Sequence, residues 1–398
     1  MKRLKIILVY FFLDRSLSSI YYLQHSPIIN KLYTGLGKLI GLSILLFTLQ
    51  YLLSHRRNYK YATYILSLAI SMFVPTLLYG GSISRWLQIF YPIMCMLPFL
   101  CLQFRNEHKI SLFFDSVSIL YLAIAGVNLV LLVVSPYMFS ESILGQQTYL
   151  LGGENLVQHP LMIGLLINMM NNYVNKNKIR TLIYVLVHLL TTFIIFSATS
   201  IVACLICISA IYVKYISKLM AKISMKFLIG IALLGFVMVV CLGGMGFFES
   251  SYVAPIIEIL GKDSTLSGRT DVWIVAMLRF FEHPILGNGV ADTVNIFDVW
   301  GTNANGVSGY STLSAHNQFL QTMVEGGVVA VGLLFIFLFK VGKYLDTLPS
   351  KYSVLSKSVI LAFLVLNMGE AAGLYNIFFV CVMSMLIGTM YLKIPIKD

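Results

Sequence analysis

The sequence is short of charge. Only 11% of its 398 residues are Asp, Glu, Lys or Arg, where a soluble domain carries roughly 25%. That shortage excludes an ordinary water-soluble globule. No His, Cys and carboxylate set has metal-ligand spacing, and neither a phosphate-cradling glycine loop nor a G-x-S-x-G elbow is present. The chain therefore calls for no metal and no cofactor. No small-residue cleavage site follows Lys2, Arg3 and Lys5, so the first apolar segment is expected to stay. Internal repeats and low-complexity tracts are missing as well. The six cysteines all lie in apolar runs. Cys204 and Cys207 have redox-motif spacing but no βαβ setting, and are read as buried thiols.

What is present is apolar: 58% of residues are hydrophobic and the mean hydropathy is +0.85. This is the composition of an all-α, polytopic membrane protein. About 20 apolar residues make one span. Twelve runs qualify, at residues 4–23, 36–54, 61–80, 86–104, 113–135, 157–173, 179–197, 199–216, 226–246, 319–341, 355–371 and 374–392. The first is the weakest, because Asp14 and Arg15 interrupt it. The boundary at residues 198–200 predicts a tight helical hairpin.

Net charge is +12, but the excess lies in alternate loops rather than on a nucleic-acid-binding face. The N-terminus, the loops after every second span and the C-terminus hold 21 of the 28 Lys and Arg residues. The other side holds Arg15, Lys31, Lys38, Arg85, Lys262, Arg269 and Arg279. The positive-inside rule then puts both termini in the cytoplasm. The chain divides into nine spans over residues 1–246, one large extracytoplasmic loop over 247–318 and three spans over 319–398. A structureless loop of that length is uncommon unless functional. Residues 270–284 within it read as a short interfacial helix. Thr270 is its expected N-cap, Pro284 its stop, and Trp273, Phe280 and Phe281 its membrane anchors.

The candidate chemistry gathers where the loop ends. The chain reads STLSAHNQFLQTMVEGG over residues 311–327. A helix starting near Ser314 puts Gln318, Gln321 and Glu325 on one face, with Asn317 beside them and Glu325 roughly 13 Å below His316. Polar groups at membrane depth must face protein or water. They are read as lining a cavity open to the outside, with His316 at its mouth. The alternative is plain helix capping by Ser314 with a satisfied interfacial histidine. Arg269, Arg279 and Arg85 are outward cations suited to forking hydrogen bonds onto phosphate; the alternative for each is headgroup binding or snorkelling. His159, before Pro160, is a further candidate for the cavity wall. His188 is read as a packed core histidine, and Glu370, with Asn367 and Asn376, as marking the turn between the last two spans.

The ordered set Gly268-Arg269, Trp273, Pro284-x-x-Gly287-x-Gly289, His316-Asn317 and Glu325-Gly326-Gly327 resembles the signature region of the O-antigen ligase and Wzy polysaccharide polymerase superfamily. The resemblance covers about 60 residues, from Ser267 to Gly327. It implies a metal-independent glycosyltransferase of the bacterial inner (plasma) membrane, acting on undecaprenyl-pyrophosphate-linked oligosaccharide in O-antigen or capsule synthesis. Membrane lipid, a chain-length regulator and a flippase are the implied partners. By that analogy Arg269 holds the donor pyrophosphate, His316 is the base or positioning group for the acceptor hydroxyl, and Glu325 assists it. Arg85, Arg279, Asn317, Gln321 and His159 complete the expected substrate site. Many members carry a Ser-Arg turn before the equivalent of the eighth span. This chain has SATSIVA at residues 197–203 instead, leaving Arg85 or Arg279 to supply the second guanidinium. A repeat-unit polymerase is the favoured activity. A ligase transferring finished glycan to a lipid core, a multi-span flippase or secondary transporter, and an O-acyltransferase are the alternatives.

Overall fold

A computed structural model describes residues 2–54, 60–135, 148–244, 269–291, 314–371 and 374–394. The basic run at residues 55–59, Lys262, Ser267, Gly268 and most of the long loop lie outside the described residues. The architecture is helical apart from a minimal hairpin in which Thr148–Tyr149 pairs antiparallel with Gly152–Gly153. The helices are α1 (Lys2–Leu13), α2 (Tyr21–His25), α3 (Pro27–Ser54), α4 (Lys60–Leu78), α5 (Ile83–Gln103), α6 (Glu107–Val134), α7 (Gln158–Asn175) and α8 (Lys178–Ile195). They continue with α9 (Ala198–Tyr212), α10 (Lys214–Lys222), α11 (Met225–Gly244), α12 (Arg269–Glu282), α13 (Gln318–Leu345), α14 (Ser350–Gly369) and α15 (Leu374–Leu386).

Seven of the described helices are long and apolar enough to cross a membrane, or eight if α9 and α10 count as one bent span. That supports a multi-pass membrane protein; the expected twelve is not reached by the same measure, and the reasons are local. The first predicted span is not one helix. α1 stops at Leu13, Asp14 caps a 3-10 turn over Arg15–Ser19 by accepting from the Ser16 N–H (2.9 Å), and α2 follows. The eighth breaks at Val213, where α10 turns 95° away from α9. α10 carries Lys214, Lys218 and Lys222, a spacing that gives it a basic face. α7 has spanning length but is diluted by Asn168, Asn171 and Asn172.

Burial separates core from rim. In α14 and α15, 83% of the spanning window is buried inside the protein, against 11% in α3. α14 packs on α9, α11, α13 and α15, while α13 packs on α4, α11 and α12. Near residue 196 the chain turns sharply, as expected, through left-handed Phe196 (φ 52°). Five cysteines, Cys95, Cys101, Cys204, Cys207 and Cys381, are buried free thiols.

The start of α14 is tied down by charge. Lys357, 1% exposed, pairs with Asp346 at 2.7 Å and donates to the Ile223 carbonyl at 2.9 Å. Asp346 also accepts from the Met225 N–H at the start of α11 (3.1 Å). Removing one member of such a pair strands a buried charge and costs about 3–5 kcal/mol, whereas replacing both is far milder. Asp346→Ala is therefore expected to lower the thermal unfolding temperature in detergent sharply. The double variant Asp346→Ala/Lys357→Met should recover most of the loss; equal destabilisation in both would refute this account.

Candidate functional site

The Gly-rich signature has a mechanical meaning. α13 runs from Gln318 but loses helical geometry at Gly327 (φ 63°, ψ −166°). A broken helix exposes carbonyls on one side of the break and N–H groups on the other, and these need partners inside a membrane. The loop at residues 284–289 supplies them. Asn288 and Gly289 donate their N–H groups to the Val324 and Glu325 carbonyls (2.7 and 3.0 Å), and the Pro284 and Ile285 carbonyls accept from Val328 and Val329 (2.9 and 3.3 Å). Gly287 (φ 77°) lies so close that a Cβ would collide with the backbone of Glu325, Gly326 and Gly327. A side chain at either Gly287 or Gly327 is excluded by conformation and by space.

That junction fixes α12 against α13. α12 starts at Arg269, close to expectation, but it does not rest on the membrane interface by its aromatic residues alone. Trp273 and Phe280 are buried in protein, and only Phe281 is exposed. The Trp273 indole donates to the Ala315 carbonyl at 3.1 Å. Arg269 and Trp273 are one helical turn apart on the same face. The residue that carries Arg269's helix therefore also holds the peptide just before His316.

His316 adopts a left-handed backbone (φ 45°), which is uncommon and strained for a residue with a Cβ. Its neighbour Asn317, rather than Ser314, caps α13. The Asn317 Oδ1 accepts from the Phe319 and Leu320 N–H groups (3.0 and 3.1 Å), and its Nδ2 donates to the Met368 carbonyl at 3.2 Å. Asn317 thus has its side chain consumed in holding the helix start against the end of α14.

Arg269 and His316 meet on one carboxylate, Glu370, which follows α14 directly. Arg269 Nη2 lies 2.6 Å from Glu370 Oε1, and His316 Nδ1 lies 3.2 Å from Oε2. Asn155 Nδ2 also donates to Oε1 (2.9 Å), and Ser197 Oγ donates to Asn155 Oδ1 (2.8 Å). The turn that lacks an arginine in this chain is therefore part of the same network. Burial pushes the Glu370 carboxyl up, but the hydrogen bond and charge of His316 and the charge of Arg269 outweigh it. The net effect holds the carboxyl below the usual glutamate value. With Glu370 ionised, the Nδ1–H tautomer of His316 satisfies the contact and leaves Nε2 as an acceptor.

Beside this cluster is a cavity of about 240 Å³, lined among others by Arg15, Arg85, His159, Gln318, Gln321 and Glu325. The expected polar face of α13 does point into it. Gln321 Nε2 donates to Glu325 Oε1 (2.6 Å), and Gln321 Oε1 accepts from the Ala315 N–H (2.9 Å). His159 is buried, with Nδ1 2.9 Å from Asn376 Nδ2. Its ring lies within electrostatic reach of Glu370. Arg85 belongs to the first turn of α5 rather than to a loop, behind the Ser82 cap.

The sequence candidates thus fall into two groups and an outlier. Arg269 and His316 share a carboxylate; Arg85, His159, Gln321 and Glu325 share a cavity; Arg279 is paired with Glu282 on an exposed face. Ten residues separate Arg279 from Arg269, roughly 15 Å along the helix, and the structure does not bring it to either group. Two residues were underread. Glu370 is the hub of the first group, signalled only by a carboxylate between two apolar spans. Arg15 lines the second, signalled by a charge pair interrupting the first run. Among the described residues no three His, Cys, Asp or Glu side chains group as a metal site.

Residues 183–337 match the family model for O-antigen ligase. The matched stretch starts within α8 and takes in Arg269, Trp273, the 284–289 loop, His316 and Glu325, whereas Glu370 lies beyond it. No curated protein and no solved structure matches the chain.

A carboxyl held below its ordinary value stabilises the fold fully above that value, 4.5. It loses this contribution as pH falls through the lower folded-state value. Glu370→Gln is expected to cost about 1.5–3 kcal/mol at neutral pH, the range for hydrogen bonds to charged groups. The gap in unfolding temperature between variant and wild type should close as pH drops below that of a free glutamate. A gap that persists unchanged into acid would contradict the assignment.

Proposed function

We propose that this chain transfers glycan from a lipid-linked diphosphate donor to a sugar hydroxyl, as a polymerase joining undecaprenyl-diphosphate-linked repeat units at the outer face of a bacterial plasma membrane. The observation that carries the reading is the convergence of Arg269 and His316 on Glu370 at one end of the bundle, beside a polar cavity. The family match over residues 183–337 supports the same class of transfer. The excess of Lys and Arg in alternate loops supports an outward site and cytoplasmic termini.

In this mechanism the acceptor hydroxyl attacks the anomeric carbon, the bond to the lipid diphosphate breaks, and the diphosphate leaves with the electron pair. Arg269 stabilises charge growing on the leaving phosphate. It reaches Glu370 through Nη2, and a guanidinium has five N–H donors, so the salt bridge leaves donors for a ligand. His316 takes the hydroxyl proton on Nε2, a step typically contributing 10²–10⁴-fold. Glu370 positions the ring through Nδ1 and stabilises the imidazolium that forms. Glu325, held by Gln321 in the cavity, orients the acceptor sugar rather than touching His316. Asn317 positions His316 by capping, and Arg279 has no part.

The ligase reading is favoured by the description of the matching family and would use the same residues. Surface glycan resolved on gels separates the two: loss of a polymerase leaves single repeat units attached, and loss of a ligase leaves none.

His316→Ala is expected to lower glycan transfer in membrane preparations by about 10²–10⁴-fold while the protein still inserts. Arg269→Ala should abolish transfer, and Arg269→Lys should restore only part of it, since an ammonium lacks the planar fork. Near-normal glycan length in the His316 and Arg269 variants would end the catalytic assignment.

A further inference from the structure

The charges of the two groups are balanced differently. Arg269 is matched by Glu370, Arg279 by Glu282, and Arg180 and Arg3 by Asp115. Arg15 and Arg85 are not matched: among the described residues neither forms a salt bridge. Among the described residues the Arg85 guanidinium donates to Gln88 (3.1 Å). The two guanidiniums line the same 240 Å³ cavity and lie within electrostatic reach of each other. Among the described residues its one lining carboxylate is Glu325, which is hydrogen-bonded to Gln321 and within electrostatic reach of Arg85. Two guanidiniums facing one partly enclosed space with a single carboxylate leave an excess of positive charge that favours an anion there.

The second observation concerns what lies behind Arg15. A groove of about 450 Å³ runs between α1, α3 and α5, walled by Phe12, Leu13, Leu42, Leu87 and Pro92. Arg15 and Ser18 line both spaces, so the polar cavity and the apolar groove meet at them. The groove's own carboxylate, Asp14, is turned inward to Tyr121 and to the Ser16 N–H, leaving the wall beside Arg15 without an exposed acid. A ligand matching this junction has a multivalent anionic head and a long apolar tail leaving on one side.

Resting on the glycan-transfer reading above, we propose that Arg15 and Arg85 seat the diphosphate of a lipid-linked sugar at a site separate from Arg269, with the start of its polyprenyl chain in the groove between α1, α3 and α5. The seat is built from the start of α5 and the break after α1. It also suits a polymerase, which must hold two lipid diphosphates, one donor and one acceptor. The cluster of Arg269, His316 and Glu370 then lies beside this seat rather than within its lining.

The test is binding of undecaprenyl diphosphate, undecaprenyl monophosphate and inorganic diphosphate to the full-length protein in lipid nanodiscs. Wild type should prefer the lipid diphosphate over both others. Arg15→Gln and Arg85→Gln should each weaken it about tenfold or more, as expected for a lost charge-assisted contact. Thr34→Trp, which fills the groove from α3, should weaken the lipid without changing inorganic diphosphate. Arg269→Ala should leave one equivalent bound. If wild type binds undecaprenyl diphosphate but the Arg15 and Arg85 variants bind it equally well, the seat is wrong and the glycan-transfer reading stands. If inorganic diphosphate binds as tightly as the lipid, the groove is not part of the site. If wild type binds none of the three, the glycan-transfer reading falls and this inference with it.

Discussion

The site depends on one carboxylate. Glu370 accepts from Arg269, His316 and Asn155, and these come from α12, the segment before α13, and the segment before α7. Each of those segments enters the site from a connection rather than from a helix interior. Without a common acceptor, a guanidinium and an imidazole brought this close would repel when both carry charge. Glu370 makes their proximity favourable, and its place directly after one of the two most buried spans anchors the group to the core of the bundle.

A second constraint sets where that group can stand. α13 must break, because the loop at residues 284–289 takes four of its backbone hydrogen-bonding positions. The break and the loop satisfy each other, so neither is tolerable alone at membrane depth. The result is a rigid corner joining α12 to α13. The Trp273 indole extends that corner to the peptide before His316. The glycines of the signature are therefore structural in the strict sense: they admit the close approach that puts Arg269 and His316 on the same acceptor.

Much of this was legible in the sequence, for identifiable reasons. The membrane class, a helical boundary within two or three residues of Ser197, a short helix near residues 270–284 and the polar face of Gln318, Gln321 and Glu325 follow from composition and periodicity. These are local signals. The broken first span and the bend at Val213 were not legible, because a hydropathy window averages over a single capping residue. Glu370 was not legible as a hub, because its three partners lie between 54 and 215 residues away in the chain. Nothing local distinguishes a carboxylate that ends a helix from one that gathers charges. Asn317 has a structural role that its polarity alone did not signal: it caps α13 and reaches the Met368 carbonyl.

The contrast between matched and unmatched arginines bears on the order of events in the proposed reaction. A compensated guanidinium such as Arg269 offers little long-range pull, since Glu370 cancels its field a few ångströms away. The Arg15 and Arg85 pair, with Glu325 as the one lining carboxylate among the described residues, gives its cavity an excess of basic side chains. An anionic lipid head should therefore be drawn first to the cavity. The second lipid diphosphate engages Arg269 closely only once it is near enough to share that guanidinium with Glu370. On this view Glu370 does more than hold the ring of His316. By screening Arg269 until a diphosphate is close, it reserves the strongest electrostatic contact for charge that develops as the leaving group departs, the condition under which binding energy accelerates chemistry rather than tightening the resting complex.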